Sequence, residues 1–143
     1  GQIDNSQQLQ SASLIGRGVM VPGTTILSGS GTTTPFGVDL GQASTSTTAT
    51  ITDSTGKVIK TVELGALSAG VHTFTWDGTS VDGTAAGDGS YKVSISAVNG
   101  TTQLVAQPLN YALVNGVTSS SSGSLLDLGT AGTTTLSEVR QIL

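Results

Sequence analysis

The 143-residue chain contains no cysteine. Disulfides, thiolate metal sites and cysteine nucleophiles are therefore excluded. Aromatics are nearly as scarce at 3%, with Phe36, Phe74, Trp76, Tyr91 and Tyr111 as the whole set. A core must then be assembled from Val, Ile, Leu and Ala around these few large pieces, which favours thin sheets packed face to face. Five basic residues, Arg17, Lys57, Lys60, Lys92 and Arg140, stand against nine acidic ones for a net charge of −4. They are scattered, and without a dense positive surface to displace counterions no nucleic-acid partner is expected. The same shortage argues against an anionic membrane as partner, and no apolar run approaches a spanning length. Histidine occurs once, at His72, so any Ser-His-Asp triad or imidazole metal site would have to use it. GxSxG elbows, Walker loops and a GxGxxG in a strand-to-helix setting are also missing. The opening GQIDNSQQLQ has neither a basic n-region nor an apolar h-region. No secretory signal peptide is expected there, and the chain reads as a fragment or processed form.

What fills the chain is Gly, Ser and Thr in short alternating segments. Gly and β-branched Thr both disfavour long helices. Residues 1–13 read as a short helix or a flexible lead-in. LIGRGVMVPG then predicts a first strand ending at a Pro22-Gly23 turn, with a second around 24–28. SGSGTTTP over 28–35 has the composition of a linker. From Phe36 onward strands and turns recur about every ten residues. TATITD puts Ala49 and Ile51 on one face, with Thr48, Thr50 and Thr52 on the other, and Asp53 to Gly56 make a turn. VHTFTW aligns His72, Phe74 and Trp76, where a packing role for His72 is the simpler expectation. YKVSISAV turns Tyr91, Val93, Ile95 and Ala97 inward, and Asn99-Gly100 signals a hairpin into TTQLVAQ. This pattern predicts an immunoglobulin- or fibronectin type III-like β-sandwich over 36–105. The tail predicts two or three short strands, a polar loop at 119–122 and a short helical close. Neither flank, 14–35 or 106–143, has enough apolar surface to fold alone, so the two are expected to pair as one small β-barrel interrupted by the sandwich.

The most crowded acidic feature is WDGTSVDGTAAGDGSY at 76–91. Read as an EF-hand from Asp77, it has Thr79 at position 3 and Asp88 at position 12. Position 5 is Val81, without a side-chain oxygen, and position 6 is Asp82 where Gly is needed. As catalytic carboxylates, Asp77, Asp82 and Asp88 would need a walled pocket to separate their pKa values. The simpler expectation is turn chemistry, each Gly supplying positive φ and each Asp a local hydrogen bond. No catalytic, cofactor-binding or metal residue is assigned, and no cofactor is expected.

Four stretches, SLIGRGVMVPG, FGVDLGQAS, AGVHTFTWDGTSVDGTAAGDGSYKVSISA and LVNGVTSS…LLDLGTAGTTTLSEVRQIL, together resemble the bacterial flagellar hook-capping family over nearly all of residues 13–143. The central block is the less specific part, because similar WDG…DG…DGxY modules occur in other secreted bacterial proteins. The two flanks in the right order around it add the specificity. The resemblance implies an all-β chain, with an Ig/fibronectin type III-like sandwich inserted into a Tudor-like barrel made by the flanks. It implies a non-enzymatic assembly scaffold that self-associates as an oligomeric cap on the growing hook tip, with the flagellar hook protein as partner. Export through the flagellar type III apparatus is implied too, which suits a chain without cysteine or signal peptide. The family's N-terminal region, which serves export and assembly, is largely absent from this chain, which implies a piece that folds without being able to cap. Loops 28–35, 77–90 and 118–123 are the candidate contact regions. The competing reading is an extracellular adhesion or carbohydrate-binding module, which an exposed Trp76 or Tyr111 beside a groove would favour. An enzyme ranks third and would need a pocket around His72.

Overall fold

The computed structural model describes residues 14–121, 123–129 and 132–143, so the expected lead-in over 1–13 lies outside the described residues. The described residues are all-β and form two compact units: Pro22–Asn110 is one, and the described parts of the flanks, 14–21 and from Tyr111 to Leu143, form the other.

The Pro22–Asn110 unit is the sandwich. One of its sheets runs β3 (Thr32–Thr33), β2 (Thr25–Gly29), β8 (Gly89–Asn99), β5 (Ser46–Thr52) and β6 (Val58–Glu63), with β9 (Thr102–Leu104) pairing to β8. The other orders β10 (Ala106–Leu113), β4 (Phe36–Leu40) and β7 (Gly70–Phe74). All these pairings are antiparallel, and β5 against β8 is the longest, from Ser46↔Val98 to Thr52↔Lys92. The period of two explains the core directly. Ala49, Ile51, Tyr91, Val93 and Ala97 come from one sheet and Phe36, Val38 and Leu40 from the other, all buried as expected from the alternation. Burying each large aliphatic or aromatic side chain contributes about 1.5–3 kcal/mol. Thr47 occupies an inward position of β5, and its fully buried hydroxyl meets Ser44 Oγ at 2.6 Å. Ser44 Oγ also accepts from the Leu67 N–H at 3.1 Å, so the buried pair is satisfied.

The flanking unit contains β1 (Gly18–Pro22), which pairs with β14 (Gln141–Ile142) and neighbours β10, whose last residues it shares. A separate meander is made by β11 (Gly116–Ser120), β12 (Gly123–Asp127) and β13 (Thr133–Thr135). Leu14, Val19, Val21, Ala112, Val114, Leu126 and Leu128 form its core, which makes it the small barrel-like unit that the flanks were expected to build together.

Four expectations need correction. The 28–35 stretch is a hairpin, not a linker: Gly29 pairs with Thr32, and Ser30 and Gly31 take φ of 53° and 81°. Positive φ at both loop positions is what a two-residue primed turn requires. Because β2 pairs with β8, residues 22–35 belong with the sandwich, and the division falls at Pro22 and Asn110 where 35 and 106 were expected. In the tail, Ser119 and Ser120 are strand residues opposite Ser124 and Gly123, since backbone pairing can recruit serines that composition assigns to a loop. The helical close is a single 3-10 turn, Leu136–Glu138.

Candidate functional site

The acidic stretch leaves Phe74 at the end of β7 and re-enters the sheet at β8, so its two aromatics anchor it at both ends. Trp76 is 2% exposed, and its ring meets Tyr91 edge-on with centroids 4.9 Å apart. Trp76 Nε1 donates to the Thr79 carbonyl at 2.9 Å. Tyr91 Oη lies 2.8 Å from both the Ala86 and Gly87 carbonyls. The polar tips of two buried rings therefore hold the loop backbone from below. A short bridge between Thr79 and Ala85 and an Ala86 N–H to Gly78 carbonyl bond of 2.9 Å close it into a small ribbon.

Asp77 and Asp82 have local tasks. Asp77 Oδ1 accepts from the Thr79 N–H at 3.0 Å and from Thr79 Oγ1 at 2.6 Å. Asp82 Oδ1 repeats the arrangement with the N–H and hydroxyl of Thr84, and also accepts from Ser80 Oγ. Asp53 does the same with Thr55 in the β5–β6 turn. The three sites share an Asp-x-Thr spelling, the Asx turn being reinforced by the threonine hydroxyl. Asp88 differs: its Oδ1 accepts from the Ser30 N–H at 3.2 Å and so steadies the left-handed residue of the β2–β3 hairpin. Lys60 on β6 donates to Thr79 Oγ1 at 2.9 Å and lies 3.6 Å from Asp77 Oδ1.

These bonds lower carboxyl pKa values, because a donor favours the ionised acceptor. Thr79, first through its hydroxyl, holds Asp77 below the ordinary range, with Lys60 adding to it. Ser80 and then Thr84 bring Asp82 down to about 2. Both carboxylates are thus kept charged with Oδ1 engaged as an acceptor, the opposite of a general acid poised near neutrality. Asp77 and Asp88 line a shallow cleft of about 110 Å³ with Ser28, Gly31, Thr79 and Ala85, whereas Asp82 is engaged by Ser80 and Thr84. Among the described residues, no three His, Asp or Glu side chains converge as a metal-binding group. Asp77 and Asp82 are turn chemistry, whereas Asp88, expected to make a local turn bond, instead braces the β2–β3 hairpin.

His72 is half-buried on β7, its ring stacked near Phe74 with centroids 6.5 Å apart. Its Nε2 lies 2.8 Å from the Ser68 carbonyl oxygen, so this nitrogen carries the proton and donates. That is a packing and turn-bracing role. Trp76 is buried, and half-buried Tyr111 lies against Gly18, so neither offers an exposed face of the kind that sugar stacking needs. The sequence pattern did not single out Val81 and Val105, which are 85% and 91% exposed. Val105 borders a second groove of about 210 Å³ formed by 41–42 and 102–105. Among the described residues no helix is long and apolar enough to cross a membrane.

Comparison with known proteins gives one consistent set of relatives. The chain is 63% identical over 150 residues to the basal-body rod modification protein FlgD of Escherichia coli K12, and 64% identical to that of Salmonella typhimurium LT2. In both cases the alignment takes in all of this chain and 65% of the relative, so the chain spans about 65% of the length of the curated relatives it matches. Among solved structures it is similar to FlgD from Xanthomonas campestris, described with insights into the hook capping essential for flagellar assembly. That likeness has a TM-score of 0.74 and 28% identity, over 96% of this chain and 99% of the other. FlgD from P. aeruginosa gives a TM-score of 0.72 and 27% identity, over 91% and 98%. Residues 23–101 match the family model of the FlgD Ig-like domain and coincide closely with the sandwich unit. With more than half of its length matched by that model, the chain belongs to the FlgD family.

Proposed function

We propose that this chain is the folded β-portion of a flagellar hook cap, a non-enzymatic scaffold that confines and orients hook subunits as they polymerise at the hook tip. The observation that carries this reading is the likeness, over 96% of the chain, to the FlgD structure described with hook capping. The partners are the hook protein and further copies of the cap, and the place of action is outside the cell, reached through the flagellar type III apparatus. Ordering subunits needs surfaces that bind and release, not covalent chemistry, which suits carboxylates already committed to turns. A cap that shifts with every added subunit must hold its partner weakly. A surface of Thr, Ser and Gly with isolated apolar points such as Val81 and Val105 fits that better than a broad apolar face. The 28–35, 77–90 and 118–123 stretches are the contact regions in this reading. Adhesion to sugars is not favoured, because Trp76 is core.

The test is genetic. Deleting the gene is expected to abolish hooks and release unpolymerised hook subunits into the medium, and the full-length gene is expected to restore assembly. Normal hooks and normal swimming in the deletion strain, with no second copy of the gene, would overturn the reading.

A further inference from the structure

The chain contains two Asn-Gly pairs, Asn99-Gly100 and Asn115-Gly116. Glycine offers no side chain to hinder attack on the preceding carboxamide, so such pairs are where a polypeptide loses ammonia most readily. The reaction needs a Gly N–H that can be deprotonated and an asparagine Cγ free to swing onto that nitrogen. In the β8–β9 hairpin both groups are held. The Gly100 N–H donates to Thr45 Oγ1 at 2.9 Å, and Asn99 Nδ2 donates to the Ala43 carbonyl at 3.0 Å. Thr45 is itself fixed to β8, its N–H bonding the Val98 carbonyl at 2.8 Å and its hydroxyl the same oxygen at 3.2 Å. Asn99 ends β8 opposite Thr102, and Gly100 takes a φ of 61° as the first loop residue.

We propose that Asn99 is a deamidation site which this fold holds closed, and which opens whenever the β8–β9 hairpin parts from the 43–45 segment. In the open hairpin the Gly100 nitrogen gives up its proton and forms a bond to Asn99 Cγ. The Cγ–Nδ2 bond breaks, and Nδ2 departs as ammonia with its two hydrogens and one further proton. Water then cleaves either carbonyl–nitrogen bond of the resulting succinimide, giving aspartate or isoaspartate, with no oxidant or reductant involved. The change closes the route back to the native hairpin. The product carries an acceptor where Asn99 donated to Ala43, and isoaspartate also lengthens the backbone inside the strand register. Time that this hairpin spends open is thereby recorded covalently at residue 99.

The experiment incubates the full chain at mildly alkaline pH, in native buffer and in urea. Peptide mass spectrometry then reads the replacement of NH₂ by OH at residue 99. Conversion in native buffer is expected to be slower by about tenfold or more, because two hydrogen bonds of ordinary net strength must break first. Thr45→Val keeps the shape and removes the hydroxyl, and is expected to raise the native rate about fivefold. Equal rates in native buffer and urea would overturn the proposal, as would an unchanged rate in a folded Thr45→Val chain. Should Thr45→Val unfold, its rate must match the urea rate, and an intact Asn99 in that unfolded chain would overturn it equally.

Discussion

At the scale of single residues, two glycines are fixed by what stands over them. A Cβ on Gly18 would lie 2.3 Å from the Tyr111 ring, and one on Gly23 would lie 1.6 Å from Asn110 Oδ1. Gly18→Ala is expected to cost about 1–3 kcal/mol, the usual range for overpacking, and Gly23→Ala less because a carboxamide can rotate away. Gly41→Ala, with nothing near its Cβ, is the neutral control, and urea denaturation of the three variants provides the check. The lowered carboxyl pKa values give a prediction about acid. Asp53, Asp77 and Asp82 all titrate below their ordinary value when folded, Asp53 chiefly through the Thr55 hydroxyl. A depressed folded pKa means that the unfolded chain binds the proton first, so stability is complete above about pH 4 and falls as acid is added. For Asp82 the loss runs down through about 2. Thermal melts between pH 5 and pH 2 are expected to fall, and Asp82→Asn is expected to fall less steeply over the same window. An equal slope would show that the Ser80 and Thr84 bonds do not favour the charged form.

The element whose behaviour depends most on its neighbours is β6. It is the last strand of its sheet, and an open edge invites pairing with another chain. Here the acidic loop folds onto it: the Val81 N–H donates to the Ile59 carbonyl at 2.9 Å, and Lys60 reaches back to Thr79. The loop therefore covers part of an edge as well as turning the chain. Val81→Pro removes that donor and is expected to cost about 1 kcal/mol, whereas Val81→Ala trims an exposed side chain and should stay within about 0.5 kcal/mol of the parent. If both variants melt alike, the edge contact contributes nothing. Trp76 reports on the same element. Trp76→Phe keeps most of the apolar burial but loses the bond to the Thr79 carbonyl, and about 1–2 kcal/mol of destabilisation is expected by calorimetry.

For the whole molecule, chain connectivity predicts that the discontinuous unit depends on the continuous one. The ends of the sandwich are fastened together by the Gly23 N–H to Pro108 carbonyl bond of 3.1 Å, with Asn110 lying over Gly23. A folded Pro22–Asn110 unit thus holds the two ends of a long loop together where the flanks join it. Replacing that unit with a flexible linker of equal length would leave the closure entropy to the flanks, about 4 kcal/mol for a loop of this size. The sandwich expressed alone as residues 22–110 is expected to unfold cooperatively, and the linker-joined flanks to remain unfolded. Circular dichroism melts distinguish the cases, and independent folding of the linker-joined flanks would remove the dependence.

The sequence by itself determined the alternations. Tyr91, Val93, Ile95 and Ala97 turn inward, as do Ala49 and Ile51, because side-chain direction in a strand follows a period of two whatever the strand pairs with. It also determined the Asp-x-Thr turns, since donor and acceptor lie two residues apart and need no distant partner. Tertiary structure alone decided which strand lies beside which. Nothing in 28–35 announces that β2 joins β8, or that Asp88 steadies Ser30 across 58 positions of chain. Equally hidden were the loop seated on β6 and the bond from the Gly100 N–H to the Thr45 hydroxyl. Backbone hydrogen bonds are the same for every residue type, so partner choice is written in how two sheets fill one core and not in any local stretch.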